Sequence, residues 1–172
     1  MRSCVLGPTA LAASPRERAR IVEQCLAAGD ALPLAAQSYA TLSGGEQRRV
    51  QFARALAQIE AARTVHERQA LLLDEPIANL DMTHQLALPD AARAVARQGV
   101  AVLAVLHDFN LASRYADALV LMNKGKIVAC GDPASVQRSD LRSEVFAVDL
   151  AVGANLASDM PLVMPSRWLT GG

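Results

Sequence analysis

The sequence has 172 residues, a length typical of one domain or of part of a larger one. Hydrophobic residues make up 52% and aromatic residues only 3%, so we expect a core built mainly from Ala, Leu and Val. Lys+Arg and Asp+Glu both number 17, and this balance argues against a general nucleic-acid binder, which carries a basic excess or patch. Three scattered cysteines without metal-ligand spacing indicate free thiols (Cys4, Cys25, Cys130).

The N-terminus predicts neither a signal peptide nor a membrane span. Its short apolar stretch is broken by Gly7 and Pro8. The longest apolar runs, such as Val100 to Leu106, fall far short of the roughly 18 residues that a membrane helix needs. We therefore expect a soluble, cytoplasmic chain that reaches a membrane only through a partner.

Two helix starts are visible in the first third of the chain. Ser14, Pro15 and Glu17 form a capping box with a proline at the first helical position, and this helix should end at Gly29. After a loop, Ser43 and Glu46 form a second capping box whose first turn contains two glycines. A polar connector is expected from Ile59 to Arg68.

The middle of the chain alternates strands and helices. Strands are predicted at Ala70–Leu73, Val100–Leu106, Ala118–Met122 and Ile127–Cys130, and helices at Thr83–Arg97 and Phe109–Tyr115. Such alternation predicts an α/β fold with a largely parallel sheet covered by helices. Ligands of such sheets bind at the carboxyl ends of the strands.

The segment Leu42-Ser43-Gly44-Gly45-Glu46 has the chemistry of a phosphate site. Glycines at a helix N-terminus leave backbone N–H groups accessible, and the helix dipole adds partial positive charge there. The alternative is an ordinary capped helix that happens to contain two glycines. Because glycine weakens a first turn, we expect the pair to have a function that compensates for this loss.

The segment Leu71-Leu72-Leu73-Asp74-Glu75-Pro76 is a buried strand that ends in two acids. A carboxylate in that position can hold Mg²⁺ near nucleotide phosphates, and Glu75 could orient or deprotonate a water molecule. The alternative is a strand that ends in a solvated acidic turn.

Two further residues follow strand ends. His107 comes after Val100–Leu106 and could contact a γ-phosphate or hold the attacking water; a structural histidine is the alternative. Asp81, in Asn79-Leu80-Asp81, could cap the next helix and still take part in function.

These four segments occur in one order and resemble the ABC ATPase family. LSGGEQRR resembles its signature motif, LLLDEP its Walker B strand, Ala78–Asp81 its D-loop and His107 its switch histidine. The resemblance implies a P-loop NTPase-like ABC ATPase domain that is truncated at its N-terminus. It implies that ATP and Mg²⁺ are the cofactors, with Asp74 at the metal and Glu75 and His107 as catalytic residues. It assigns nucleotide contacts to Ser43, Gly44, Gly45, Gln47 and Asp81.

A subfamily is indicated by the residues around His107. His107–Ala112 and Arg114–Asp117 resemble the ATPases of iron-siderophore, heme and cobalamin importers, and Tyr39 to Gln58 favours heme. The resemblance implies three kinds of partner: a second ATPase subunit in a head-to-tail dimer, two membrane permease subunits and, indirectly, a periplasmic heme-binding protein. It implies no nucleic acid and a peripheral location at the cytoplasmic face of the inner membrane.

The resemblance also divides the chain into three segments. Residues 1–60 would be a partial helical subdomain with the signature motif, 61–140 the α/β core with Walker B, D-loop and switch histidine, and 141–172 a C-terminal extension.

One expected motif is absent from the sequence. No GxxxxGK[ST] loop, which cradles nucleotide phosphates, occurs in it. We therefore expect the chain to begin inside the helical subdomain, to expose apolar sheet faces and to hold ATP poorly by itself. Two hypotheses remain open: an ATPase subunit of a heme-type importer, or a non-catalytic segment that only donates its signature face to an intact ATPase. An ABC ATPase outside transport is disfavoured, because such proteins carry long coiled coils or two cassettes.

Overall fold

The computed structural model describes residues 14–63, 66–78, 80–136, 150–153 and 162–166. The chain forms two compact units, Met1–Val105 and Leu106–Gly172. The division into three segments that the sequence predicted differs from these two units. The functional role of each segment stays a prediction. Asn79, Cys4 and the stretch 137–149 lie outside the described residues.

The first unit begins with helix α1, Pro15–Ala28. As predicted, the Ser14 hydroxyl accepts a hydrogen bond from the Glu17 N–H, and Gly29 follows the last turn. Two short 3₁₀ turns, Leu32–Leu34 and Tyr39–Thr41, lie in the expected loop.

Helix α2 spans Gly44–Ala62 and begins with the predicted capping box at Ser43. The prediction of a connector from Ile59 was wrong at its start, because the helix continues to Ala62. Ile59 packs against the core, and the residues that follow are good helix formers. The Arg63 Nε atom lies 2.6 Å from a Glu60 carboxylate oxygen at the end of the helix.

A strand–helix–strand unit completes the first unit. Strand β1 spans Ala70–Asp74, helix α3 Met82–Ala96 and strand β2 Ala101–Val105. The two strands pair in parallel, as the sequence predicted, with Asp74 opposite Val105. The carboxyl ends of both strands therefore meet at one edge of this sheet.

The core of the first unit consists of two clusters, and α2 contributes to both. The first cluster lies between α1, α2, α3 and the sheet and contains Ile21, Cys25, Phe52, Leu56, Ala57, Leu71, Leu80, Leu88, Ala92 and Val100. The second lies between α1, α2 and the loop that joins them and contains Val22, Leu26, Ala31, Leu34, Leu42, Val50 and Ala53. Burial of α2 from Val50 to Ala57 therefore fixes the direction in which its N-terminus points.

One face of the β1–β2 sheet is apolar and exposed. Leu72 is 72% exposed, and Leu103, its register partner, is 60% exposed. Parallel sheets are normally covered on both faces. The apolar sheet face that we expected to be exposed is thus exposed in this chain.

The second unit contains helix α4 and two hairpins. Its elements are α4 Phe109–Tyr115, β3 Leu119–Asn123, β4 Lys126–Gly131, α5 Pro133–Val136, β5 Leu150–Gly153 and β6 Leu162–Pro165. The prediction that the third strand extends a parallel sheet was wrong, because β3 pairs antiparallel with β4. Lys124 and Gly125 have φ of 47° and 75°, which suits a tight two-residue hairpin turn. Of the described strands, only β1 and β2 are parallel.

Strand β6 is tied to α4 by one side chain. The Asn110 amide donates to the Val163 carbonyl at 2.9 Å, and the Val163 N–H donates to the Asn110 amide oxygen at 2.8 Å. Among the described helices, none combines the length and apolarity that crossing a bilayer requires.

Candidate functional site

The N-terminus of α2 carries the predicted phosphate-binding segment. The Ser43 hydroxyl accepts from the Glu46 N–H at 3.4 Å, and the Ser43 N–H donates to a Glu46 carboxylate oxygen at 2.8 Å. The hydrogen bond from the Ser43 N–H, and then one from the Ser43 side chain, lower the pKa of the Glu46 carboxyl, and the nearby Arg49 adds a smaller effect in the same direction. A Cβ atom added at Gly44 would meet nothing within 4 Å. Packing among the described residues therefore gives no reason for a glycine at Gly44.

Gln47 fixes the turn that precedes this helix. Its side-chain amide nitrogen donates to the Leu42 carbonyl at 3.0 Å and to the Tyr39 carbonyl at 3.3 Å. Leu42 itself is buried in the second core cluster. Gln47 thus holds the backbone of Ser43 in place, and its assigned contact with a nucleotide stays a prediction.

The acidic pair lies at the carboxyl end of β1. Asp74 is exposed and Glu75 is half-buried. Glu75 has a φ of 44°, which is uncommon for a residue other than glycine and costs conformational energy. Its N–H donates to the Val105 carbonyl at 3.1 Å, and its carbonyl accepts from the Ala78 N–H at 3.2 Å and from Arg48. These bonds hold Glu75 in its strained conformation.

Asp81 caps helix α3, as the sequence predicted. Its carboxylate accepts from the His84 N–H at 3.1 Å and lies 2.7 Å from the His84 Nδ1 atom. The backbone hydrogen bond from His84 and then the side-chain bond from the same residue lower the pKa of Asp81. The carboxylate is therefore charged at neutral pH, and it remains largely exposed.

His107 is exposed and follows β2 by two residues, in the second unit. The next residue, Asp108, caps α4 by accepting from the Leu111 N–H at 2.9 Å. The expected catalytic partnership of His107 with Glu75 stays a prediction.

The described residues contain no cluster of three or more His, Cys, Asp or Glu side chains that could hold a metal by themselves. Mg²⁺ is commonly bound through one or two carboxylates together with substrate phosphates, so a protein cage is not required. An exposed carboxylate at a strand end, such as Asp74, fits that donor set.

Sequence reasoning missed four residues that connect these segments. Arg48 donates to the Glu75 carbonyl, so the first turns of α2 are tied to the end of β1. Arg49, Asp30 and His84 form a second connection between α2 and the start of α3. The two arginines directly after LSGGEQ could have suggested such connections, but their partners could not be identified because they are far away in sequence.

Several curated proteins are similar to this chain in sequence. The hemin import ATP-binding protein HmuV of Mesorhizobium japonicum is 44% identical over 153 residues, which cover 89% of this chain and 58% of the relative. The proteins of the same name from Myxococcus xanthus and Rhodopseudomonas palustris (strain HaA2) are 46% and 48% identical, and the chain covers 52% and 47% of them. The chain thus spans about half the length of the curated relatives it matches. No protein-family model matches it.

Solved structures share its fold. An inward-facing structure described as a metal-chelate type ABC transporter matches with a TM-score of 0.70 at 21% identity, over 89% of this chain and 59% of that one. A dimeric bacterial ABC transporter cassette matches with a TM-score of 0.61 at 27% identity, over 71% of this chain and 50% of that one. Sequence, motif order and fold agree: over the part that it spans, the chain is similar to the hemin import ATP-binding proteins and has the fold of an ABC transporter ATPase cassette.

Proposed function

We propose that this chain supplies the signature and Walker B segments of an ATP-hydrolysing subunit that energises an ABC importer, with hemin as the cargo. The observation that carries the proposal is the bond from Arg48 to the Glu75 carbonyl. It ties a helix N-terminus suited to phosphate to a strand end with two carboxylates, within one compact unit. The hemin assignment rests on the names of the relatives.

The residues divide into two faces in this proposal. Ser43, Gly44 and Gly45 bind phosphate oxygens of a nucleotide held by a second subunit. Gln47 and Asp81 contribute to the same interface. The open space around Gly44 supports this role. Packing among the described residues does not require a glycine there, but a ligand or partner that approaches the backbone closely would.

The second face acts on a nucleotide bound on the same subunit. Asp74 would hold Mg²⁺, which neutralises developing charge on the phosphates when it is bound. Glu75 orients or deprotonates the attacking water, and His107 contacts the γ-phosphate or that water. A head-to-tail dimer, two permease subunits and a periplasmic hemin-binding protein complete the proposed assembly at the cytoplasmic face of the membrane. A bacterial cassette of related fold is dimeric, which supports the first of these partners.

A second candidate is a non-catalytic role in which the chain donates only its signature face. The two candidates are separated by binding of a fluorescent ATP analogue with Mg²⁺ to the 172-residue chain. Saturable binding that weakens in Asp74→Asn supports the catalytic role. No saturable binding up to millimolar nucleotide supports the donor role.

The signature face is tested by association with a complete cassette, such as the Mesorhizobium japonicum relative. We expect sedimentation to detect association only when ATP is present. Ser43→Asp should fold normally, because aspartate caps helices as well as serine does, but its carboxylate should repel phosphate and abolish association. Ser38→Asp is the control, since it adds the same charge at an exposed residue outside α2. Equal association of both variants would contradict the proposed function.

A further inference from the structure

Glu75 has a backbone conformation that its own chemistry and its neighbour in sequence both disfavour. Its φ of 44° lies in the left-handed region, which costs conformational energy for a residue that has a Cβ atom. Pro76 follows it, and a residue before proline is driven towards extended conformations with negative φ. Contacts from outside this dipeptide must therefore hold Glu75 in place.

The backbone of Glu75 is anchored on both sides of its Cα atom. On one side, its N–H donates to the Val105 carbonyl at 3.1 Å and continues the pairing of β1 with β2. On the other side, its carbonyl accepts from the Ala78 N–H at 3.2 Å and from a guanidinium nitrogen of Arg48. The Ala78 bond lies within one turn and can move with that turn. Arg48 is 27 positions away and connects the same carbonyl to helix α2.

The packing of α2 fixes the point from which the Arg48 side chain starts. Phe52 follows Arg48 by four residues, so the two lie on the same face of the helix, and Phe52 is buried in the first core cluster. Leu73 and Ile77, two residues to either side of Glu75, pack against that cluster as well. The helix and the turn are therefore held against one core, and the Arg48 side chain has a fixed distance to span.

We propose that Arg48 is a positioning residue for Glu75, whose carbonyl it holds so that Glu75 keeps the left-handed conformation that sets the direction of its side chain. With the N–H held by β2 and the carbonyl held by α2, the backbone dihedral angles of Glu75 cannot turn freely. The Cα–Cβ bond, from which the carboxylate extends, is then fixed as well. The importance of that direction for hydrolysis rests on the proposed function, in which Glu75 orients or deprotonates the attacking water.

Arginine has the chemistry that this role requires. Its guanidinium is always charged and presents its N–H donors in a rigid plane. A hydrogen bond from a charged donor is stronger than one between neutral groups. The bond to the Glu75 carbonyl is also partly buried, so water competes for it less than it would at the surface. Lysine offers a charged donor too, but without the fixed planar geometry.

The first test measures φ of Glu75 by NMR in the 172-residue chain, without nucleotide. Three-bond scalar couplings across the Glu75 N–Cα bond distinguish positive from negative φ. Arg48→Met keeps the helix propensity but removes every donor, and we expect it to lose the couplings of a positive φ. Arg48→Lys retains a charged donor and should recover these couplings at least in part. Arg63→Met is the control, because it makes the same change at the C-cap of the same helix.

Two outcomes of this test would overturn the proposal. Wild-type couplings in Arg48→Met would show that the two backbone hydrogen bonds of Glu75 are sufficient. An equal loss of the couplings in Arg63→Met would show a general loosening of the helix instead of a specific anchor. If Arg48→Met does not fold, Arg48→Gln takes its place, because its side chain is too short to reach the carbonyl, and the same outcomes decide.

A comparison of Glu75→Gly with Glu75→Ala provides the second measurement. Both variants remove the carboxylate, but only glycine adopts a positive φ without strain. With Arg48 present, the urea midpoint of Glu75→Gly should lie about 0.3 M above that of Glu75→Ala. In the Arg48→Met background this difference should shrink or reverse, because residue 75 is then no longer held at positive φ.

An equal difference in both backgrounds would refute the positioning role. So would the lack of any advantage of glycine in the presence of Arg48, because no strain would then need to be held. Neither measurement depends on ATP or on a second subunit. A chain that depends on Arg48 as expected, but neither binds nucleotide nor associates with a complete cassette, would contradict the proposed function alone.

Discussion

Replacing Leu88 with alanine tests whether the core beneath α3 supports the candidate site. Leu88 is only 2% exposed and packs in the cluster that also contains Leu80 and Leu71. Leu80 directly precedes Asp81, and Leu71 lies on the strand that ends at Asp74. Removing its side chain leaves a cavity under both segments. We therefore expect a large loss of stability from a residue that is distant in sequence from the signature motif.

The magnitude follows from burial. Truncating a fully buried leucine to alanine costs about 2–5 kcal/mol, which includes the lost transfer free energy and the cavity that remains. Leu86, on the same helix, is 43% exposed, and Leu86→Ala should change the free energy of unfolding by about 0.5 kcal/mol or less. Both variants make the same change in helix propensity, so their difference reports burial alone.

Urea denaturation followed by circular dichroism measures this difference. The helix signal reports mainly the first unit, because α1, α2 and α3 hold most of the described helical residues. With a urea dependence of about 2 kcal/mol/M, Leu88→Ala should lower the midpoint by about 1 M or more. If that variant does not fold, Leu88→Met should cost less than about 1.5 kcal/mol. Equal midpoints for Leu86→Ala and Leu88→Ala would refute the reasoning.

Glu46→Gln should remove a charge from the capping box at the start of α2 but keep an oxygen that can accept from the Ser43 N–H. Because folding lowers the pKa of Glu46, its contribution to stability is present above the ordinary pKa of glutamate and lost as the pH falls through the lowered value. Denaturation midpoints of the wild type and Glu46→Gln should therefore differ at neutral pH and converge in acid; a constant difference would be the contrary result. In the second unit, Asn110→Asp loses the donor to the buried Val163 carbonyl and should cost about 1–3 kcal/mol. Native-state hydrogen exchange at Val163 measures the change, and unchanged protection would show that the Asn110 contact does not hold β6.

Local patterns predicted most of the first unit correctly. The cap at Ser14, the capping box at Ser43, the strand that ends at Asp74 and the cap at Asp81 were all visible in the sequence, because each depends on residues within one turn or one strand. The end of α2 was misplaced, because Ile59 looks like part of a polar stretch until its packing against the core is known.

Pairing of strands was harder to predict. The alternation of strands and helices predicted a largely parallel sheet that would include the strand at Ala118–Met122. A tight turn at Lys124 and Gly125 instead pairs it with β4. A hairpin of adjacent strands closes a much shorter loop than a crossover does, so it has the lower entropic cost.

The sequence by itself determined which residue types stand at helix starts and strand ends, and the order of its motifs identified the family. Only the tertiary structure decided that Arg48 reaches the Glu75 carbonyl and that Asp30, Arg49 and Asp81 meet at His84. The physical reason is range. Capping and periodicity act between residues a few positions apart. The contacts of Arg48 with Glu75 and of Arg49 with His84 join residues 27 and 35 positions apart, and Asp30 and His84 lie further apart still. Only the packing of α2 between two core clusters brings them together.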